Sequence, residues 1–236
     1  DYVNGWAESE QTISAPYGAL HQTATAYLDT RALLAAIKSE LINAGCLHAS
    51  RFDPADLQLQ AKVQWRGICS QYLVFCEGHQ ARFNPWFRSL PWQVAQGDIL
   101  TVSVNKPLPT QIINYGQWLL PTSVNQARLG ASFSQQLDLK PSALAAEDLL
   151  NGIRRVMPDL GELTILNHQV GIRPATQDKQ PFMGAHPQYP QMLIFNGFGA
   201  KGSLAIPGSA RRLVAHLRFN QPLPAHSDIQ RLSWLG

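Results

Sequence analysis

Two short runs in this chain are apolar at every position rather than at every second one. Tyr72-Leu73-Val74-Phe75-Cys76 is the first and Met192-Leu193-Ile194-Phe195 is the second. A strand with one wet face alternates. A strand that does not alternate is covered on both faces, as in a parallel sheet with helices above and below. Each run ends in a glycine turn: Glu77-Gly78 after the first, a glycine-rich loop after the second. A chain that builds two such strands far apart in sequence leaves one domain, makes a second, and returns.

The intervening sequence has a different character. From about Asn84 to Asn167, Pro85, Pro91, Pro107, Pro109 and Pro121 punctuate it. Leu100, Val102 and Val104 alternate with less apolar residues, as do Ala127, Leu129, Ala131 and Phe133. Ile112 to Leu120 reads as a further strand, joined to the next through Pro121 to Asn125, which makes an antiparallel meander. Asp29 is a good N-cap for a helix carrying Leu33, Leu34, Ile37 and Leu41 on one face, with Gly45 as its stop. Leu57, Leu59, Ala61, Val63 and Trp65 alternate like a strand. A second helix sets Leu144, Leu149, Ile153 and Val156 on one face, ending before Pro158. Leu163 to Leu166 reads as one more strand. A last helix runs to about Leu217, with Pro207 tolerable only near its first turn. Asp1 to Gly5 reads as a polar turn, and the tail after Asn220 as irregular. The fold class is mixed α+β: an antiparallel sheet with helices, plus a partial α/β domain.

Composition excludes several classes of function. Hydrophobic residues are 45% and charged residues 15%, which is an ordinary folding composition. The net charge is only +3 and the cations are not clustered, which argues against nucleic-acid binding. No apolar run approaches the roughly 20 residues that span a bilayer. Three cysteines (Cys46, Cys69 and Cys76) do not make a disulfide framework and point to a reducing, cytoplasmic setting. Cys69 and Cys76 read as packed core thiols. The seven histidines lack H-x-H and H-x-x-x-H spacing, so no zinc site is expected. No G-x-S-x-G is present.

Gly197-Phe198-Gly199-Ala200-Lys201-Gly202 matches G-x-G-x-x-G between a strand and a helix. A dinucleotide fingerprint needs a further parallel strand after that helix, bearing an acid about 20 positions on. Here a Pro-rich tail follows instead. The loop still leaves backbone N–H donors at a positive helix end, able to face a phosphate or a ring atom that becomes anionic. The alternative is a tight strand–helix turn without a ligand.

A segment upstream favours the ligand-facing reading. Gly171-Ile172-Arg173-Pro174-Ala175-Thr176-Gln177-Asp178, then Pro181-Phe182-Met183-Gly184, precedes the second strand and the glycine loop. With Pro207 early in the following helix, this order resembles the C-terminal signature of the D-amino acid oxidase/glycine oxidase-like family of FAD-dependent oxidoreductases. Weaker similarity runs through Asp29 to Leu41, Leu73 to Gly78, Ala95 to Leu100, Tyr115 to Pro121 and Leu129 to Ala131, covering most of the chain.

The resemblance implies an oxidoreductase that removes hydride from the carbon bearing an amine, in an amino acid or related substrate. It implies residues 1–28 and 87–168 in a substrate domain and residues 29–86 and 169–236 in an FAD-binding domain. It implies Arg173 as the clamp for a substrate carboxylate, with an ion pair to Asp178 or another acid as the alternative role. Tyr115 and Trp118 would line the substrate pocket. Gly78 would lie near the FAD pyrophosphate. Gly197, Gly199, Ala200, Lys201 and Gly202 would face the flavin ring. His168 to Gly184 contains no Cys, so the FAD is expected to be noncovalent.

Family members also begin with a strand and a G-x-G-x-x-G that holds ADP, and residues 1 to 60 contain none. The expectation is an N-terminally truncated chain that binds FAD poorly alone. The rival reading is a non-enzymatic small-molecule-binding domain that has lost flavin.

Overall fold

The computed structural model describes residues 3–7 and 13–232. The chain forms two compact units, one from 1–26 and 95–172, the other from 27–94 and 173–236.

In the first unit, β1 (Val3–Ala7) pairs antiparallel with β2 (Ala19–Gln22). The polar turn expected over Asp1–Gly5 is therefore a strand from Val3 on, specified by its partner rather than by its own residues; Asp1 and Tyr2 lie outside the described residues. The first unit contains β7 (Ala95–Val104), β8 (Ile113–Asn114), β9 (Trp118–Ser123), β10 (Gln126–Gly130) and β11 (Leu163–Arg173). They make one sheet in the order β11-β7-β10-β9-β8. Helix α2 (Ala143–Val156) covers one face. The register sets Leu100, Leu129 and Leu119 side by side. All three are fully buried with Leu149 and Ile153 of α2. Each such leucine contributes on the order of 2 kcal/mol by leaving water. Leu144 does not join them and stays exposed on the outer side of α2, where only the first turn's geometry places it. The single strand expected over Ile112–Leu120 is a hairpin, turning at Gly116, whose φ of +96° no other residue adopts cheaply.

In the second unit, α1 (Thr30–Asn43) is capped by the Asp29 carboxylate, which accepts from Arg31 N and Ala32 N at 3.1 and 3.0 Å. Gly45 follows at φ +65°. No residue of α1 is buried, so the Leu33, Leu34, Ile37 and Leu41 stripe faces outward. The alternation from Leu57 to Trp65 is not one strand. The chain doubles back between β3 (Leu57–Leu59) and β4 (Val63–Trp65), and again into β5 (Ile68–Ser70).

The two apolar runs form β6 (Leu73–Phe75) and β13 (Met192–Asn196), which lie side by side and parallel. Between them in sequence, β12 (Phe182–Ala185) pairs antiparallel with β13. Met192 and Ile194 enter a core with Phe75, Phe87 and Phe182. Leu193 enters another with Met183 and Leu213, the latter from helix α3 (Gly202–Phe219). The lack of alternation thus has its cause in two covered faces. Pro207 lies inside α3, beyond the first turn.

His186 pins the β12–β13 connection. Its ring is buried between Phe87 and Tyr189, with centroids 5.5 and 5.2 Å away, and its Nδ1 accepts from Gln188 N at 3.2 Å. Burial lowers its pKa, against the raising effect of a hydrogen bond with the Trp86 backbone. Above the ordinary histidine value of about 6.5, the ring is neutral in both states and contributes no pH dependence. As the pH falls through that value towards the lowered folded value, the unfolded chain takes the proton first. Stability is therefore lost in that window. Urea midpoints of the wild type should fall there, and those of His186→Gln should fall less. Parallel curves would remove His186 as the cause.

Among the described residues no helix is long and apolar enough to cross a membrane, and no group of three or more His, Cys, Asp or Glu could hold a metal. Cys46, Cys69 and Cys76 are free and exposed, so Cys69 and Cys76 are not core thiols. Cys69 lies in β5, and Cys76 follows the last residue of β6.

Candidate functional site

Parallel strands present their carboxyl ends on one edge, where open α/β sheets bind ligands. The register Leu73↔Met192, Val74↔Leu193 and Phe75↔Ile194 puts the turn after β6 and the loop after β13 on that edge together. Gly78 stands in the first, at φ +57°, and opens a short 3-10 turn to Phe83. Gly197 and Gly199 stand in the second, at φ +80° and +55°, followed by a 3-10 turn through Lys201 and the start of α3 at Gly202.

One side chain joins these two pieces. Asn196, 4% exposed at the end of β13, donates from Nδ2 to the Gly78 carbonyl at 2.9 Å. Its Oδ1 accepts from Gly197 N at 2.8 Å. Both ends of the amide are used, one for each glycine turn. Nothing in the sequence flags Asn196, because its role depends on a partner 118 positions away.

The glycines have different jobs. A Cβ on Gly197 would lie 2.6 Å from Thr176 Cγ2 and 3.3 Å from Phe182 N, so this glycine serves close internal packing. A Cβ on Gly78 would meet nothing within 4 Å, so the space beside it is open. Gly199 donates its N–H to Pro174 O at 3.1 Å and lies against Ala175. Ala200 and Lys201 are exposed. Helix α3 starts without a side-chain cap, which leaves its positive end to backbone N–H groups alone.

The Pro174–Gln180 segment is firmly held. Gln93 N donates to Ala175 O and Gln177 N to Pro91 O, and Thr176 Oγ1 donates to Gln180 O at 2.8 Å. Arg231 grips Asp178 Oδ2 through Nε and Nη2 at 2.9 and 2.8 Å. Burial opposes the Asp178 charge, but the Gln180 N–H and Arg231 hold its carboxyl below the usual range. Arg173, the last residue of β11, leads into this segment half-buried.

The two aromatic candidates fall on opposite faces of the five-stranded sheet. Tyr115 packs against the α2-side core. Its hydroxyl is shielded without a hydrogen-bond partner, and burial, then Asp148, push its pKa up to about 12, against a lowering by Arg155. Trp118 precedes the core residue Leu119 along β9 and so points to the other face, its indole lying on Gly130.

A second polar cluster lies in the first unit. Asp98, 1% exposed, accepts from Ser132 Oγ at 2.9 Å and Ser142 N at 3.1 Å, and His168 Nε2 lies 2.8 Å from its Oδ1. Ser142 in turn caps α2. Every side of this carboxylate is occupied from within, so it is a structural hub.

The family profile DAO, described as FAD dependent oxidoreductase, matches residues 5–217. The glycine oxidase of Geobacillus kaustophilus (strain HTA426) is 29% identical over 111 residues, covering 45% of this chain and 29% of that protein. The tRNA 5-methylaminomethyl-2-thiouridine biosynthesis bifunctional protein MnmC of Legionella pneumophila (strain Corby) is 26% identical over 197 residues, covering 70% of this chain and 29% of that protein. The chain thus spans less than a third of the length of these curated relatives. The crystal structure of iminodiacetate oxidase from Chelativorans sp. BNC1 shares the fold with a TM-score of 0.75 at 21% identity, over 89% of this chain and 61% of that one. The chain belongs to the DAO family of FAD-dependent oxidoreductases.

Proposed function

We propose that this chain supplies the substrate-binding and flavin-facing part of an enzyme that oxidises the C–N bond of an amino acid or related amine. The observation that carries the reading is the Asn196 clasp, which holds the Gly78 turn and the Gly197–Gly202 loop together at the carboxyl ends of β6 and β13.

The residues present fit FAD. Gly78 offers open space beside a left-handed turn, and α3 offers an uncapped positive end. Gly78 would lie near the pyrophosphate, and the backbone of Gly199 to Gly202 with Lys201 would face the flavin ring, held noncovalently. When bound, FAD supplies the hydride acceptor. The positive start of α3 and the Lys201 ammonium stabilise negative charge arriving beside them, while the Gly199 N–H is held by Pro174 O. Arg173 presents a planar fork suited to a carboxylate and so orients the substrate. Trp118 lines the substrate side of its sheet; Tyr115 contributes through packing.

The named substrates of the relatives support an amine. Glycine and iminodiacetate each carry nitrogen one carbon from a carboxylate, which suits an arginine clamp. An aminomethyl group on a tRNA base, as in the MnmC name, belongs in the same test panel. Three free thiols support a reducing compartment.

The test is a visible spectrum of the gene's full-length product, then anaerobic bleaching of its flavin bands by a panel of amines. Arg173→Ala is expected to raise KM for carboxylated amines tenfold or more, about 1.4 kcal/mol, with little change for amines lacking a carboxylate. Absence of flavin after adding FAD, with tight amino acid binding by calorimetry, would favour the non-enzymatic binding domain.

A further inference from the structure

Arg82 is the one arginine in the cofactor-side turn, and its charge has no counterpart among the described residues. Its Nε is fully shielded yet meets no hydrogen-bond acceptor. Its guanidinium carbon lies 4.5 Å from the centre of the Phe83 ring, a contact that holds the plane but neutralises nothing. The acid nearest in sequence, Glu77, is taken by Asn84, whose Nδ2 donates to Glu77 Oε2 at 2.8 Å. A shielded donor on a charged group destabilises the fold unless something accepts from it, and native structures keep few such groups without a ligand to explain them.

The setting says what kind of partner suits that charge. Arg82 sits in the 3-10 turn that begins at Gly78, and Gly78 is tied by Asn196 to the glycine loop. The space beside Gly78 is open. The unneutralised charge is felt nearby: burial first, and then Arg82, lower the pKa of His79. A planar guanidinium beside a glycine turn with free room matches the tetrahedral, multiply charged oxygens of a phosphoryl group.

We propose that Arg82 anchors a phosphoryl-oxyanion site beside the Gly78 turn. The site rests on the reading of that turn as part of a cofactor cradle, and its natural occupant is either the pyrophosphate of a dinucleotide or a free phosphate. Arg82 holds the charge through its terminal nitrogens, since Nε is shielded from solvent, and the Phe83 ring keeps the guanidinium plane in place.

The test uses the whole chain, with inorganic pyrophosphate as the probe. Calorimetry should show binding that weakens as salt is raised. Arg82→Met should weaken it tenfold or more, and Arg82→Lys should fall between, since a lysine keeps the charge without the fork. Thermal melting without ligand supplies a readout of opposite sign for a structural role. Removing an unpaired charge should leave the melting temperature of Arg82→Met unchanged or raised. Wild-type chain that fails to bind pyrophosphate, or Arg82→Met that binds it equally well, overturns the proposal. So does Arg82→Met that melts several degrees lower. Competition, run on the gene's full-length product, identifies the source. If FAD displaces pyrophosphate and riboflavin does not, the site takes the dinucleotide. Arg82-dependent pyrophosphate binding that FAD cannot displace upholds the anion site for a free phosphate and counts against the cradle reading.

Discussion

Asp98→Ala is expected to cost about 3–5 kcal/mol of stability, enough to unfold a typical domain's first unit under mild denaturant. Asp98 is buried to 1% exposure and gathers Ser132, Ser142 N and His168 from three separate parts of the chain. Alanine removes the acceptor and leaves those donors facing a void that water does not reach freely. Asp98→Asn keeps the shape and one acceptor oxygen for Ser142 N, so it should cost only about 1–2 kcal/mol. Urea titrations of both variants give the comparison. An Asp98→Ala midpoint within 1 kcal/mol of the wild type would show that the cluster is not the hub its geometry describes.

The same cluster shows which parts of this fold can be seen in the sequence. Helix α1 announces itself because its cap and stop are local: Asp29 bonds to residues two and three positions on. The apolar runs of β6 and β13 are legible because two covered faces leave no room for polar side chains. The hairpins are not. Leu57 to Trp65 keeps an unbroken alternation while the chain reverses between Leu59 and Val63, a reversal made by Gln60, Ala61 and Lys62 without glycine or proline. β11 runs on to Arg173, well past Leu166, because its ladder partner and not its composition sustains it; most of its residues from Thr164 to Asn167 are exposed.

At the candidate site, the glycines and Arg173 stand out because their residue types are chemically special. Asn196 does not, and neither does Asp98 in the first unit's structural cluster, since each acts through a partner scores of positions away, and hydrogen bonds of that span leave no local pattern. The glycine pattern is also blind to purpose. G-x-G-x-x-G gives Gly197 and Gly199 equal standing, although the space around them differs.

That difference yields the second large effect. Gly197→Ala must hold a left-handed φ of +80° and push a methyl group against Thr176 Cγ2 and the Phe182 backbone. The left-handed conformation costs about 1–2 kcal/mol and the overpacking about 1–3 more. We expect a loss of roughly 3 kcal/mol. Gly78→Ala meets only the first cost, near 1 kcal/mol, because nothing stands within 4 Å of the new methyl group. Its damage should fall on the cofactor: the methyl group occupies the space a ligand would use, so FAD affinity should drop tenfold or more while the fold survives. Denaturant midpoints of the two variants, and FAD titrations of the same substitutions in the gene's full-length product, separate these effects. Equal loss of stability in both would mean that Gly78 serves packing as Gly197 does. Unchanged FAD affinity in Gly78→Ala would move the cofactor away from this turn, and with it the reason for a bare left-handed glycine at the end of β6.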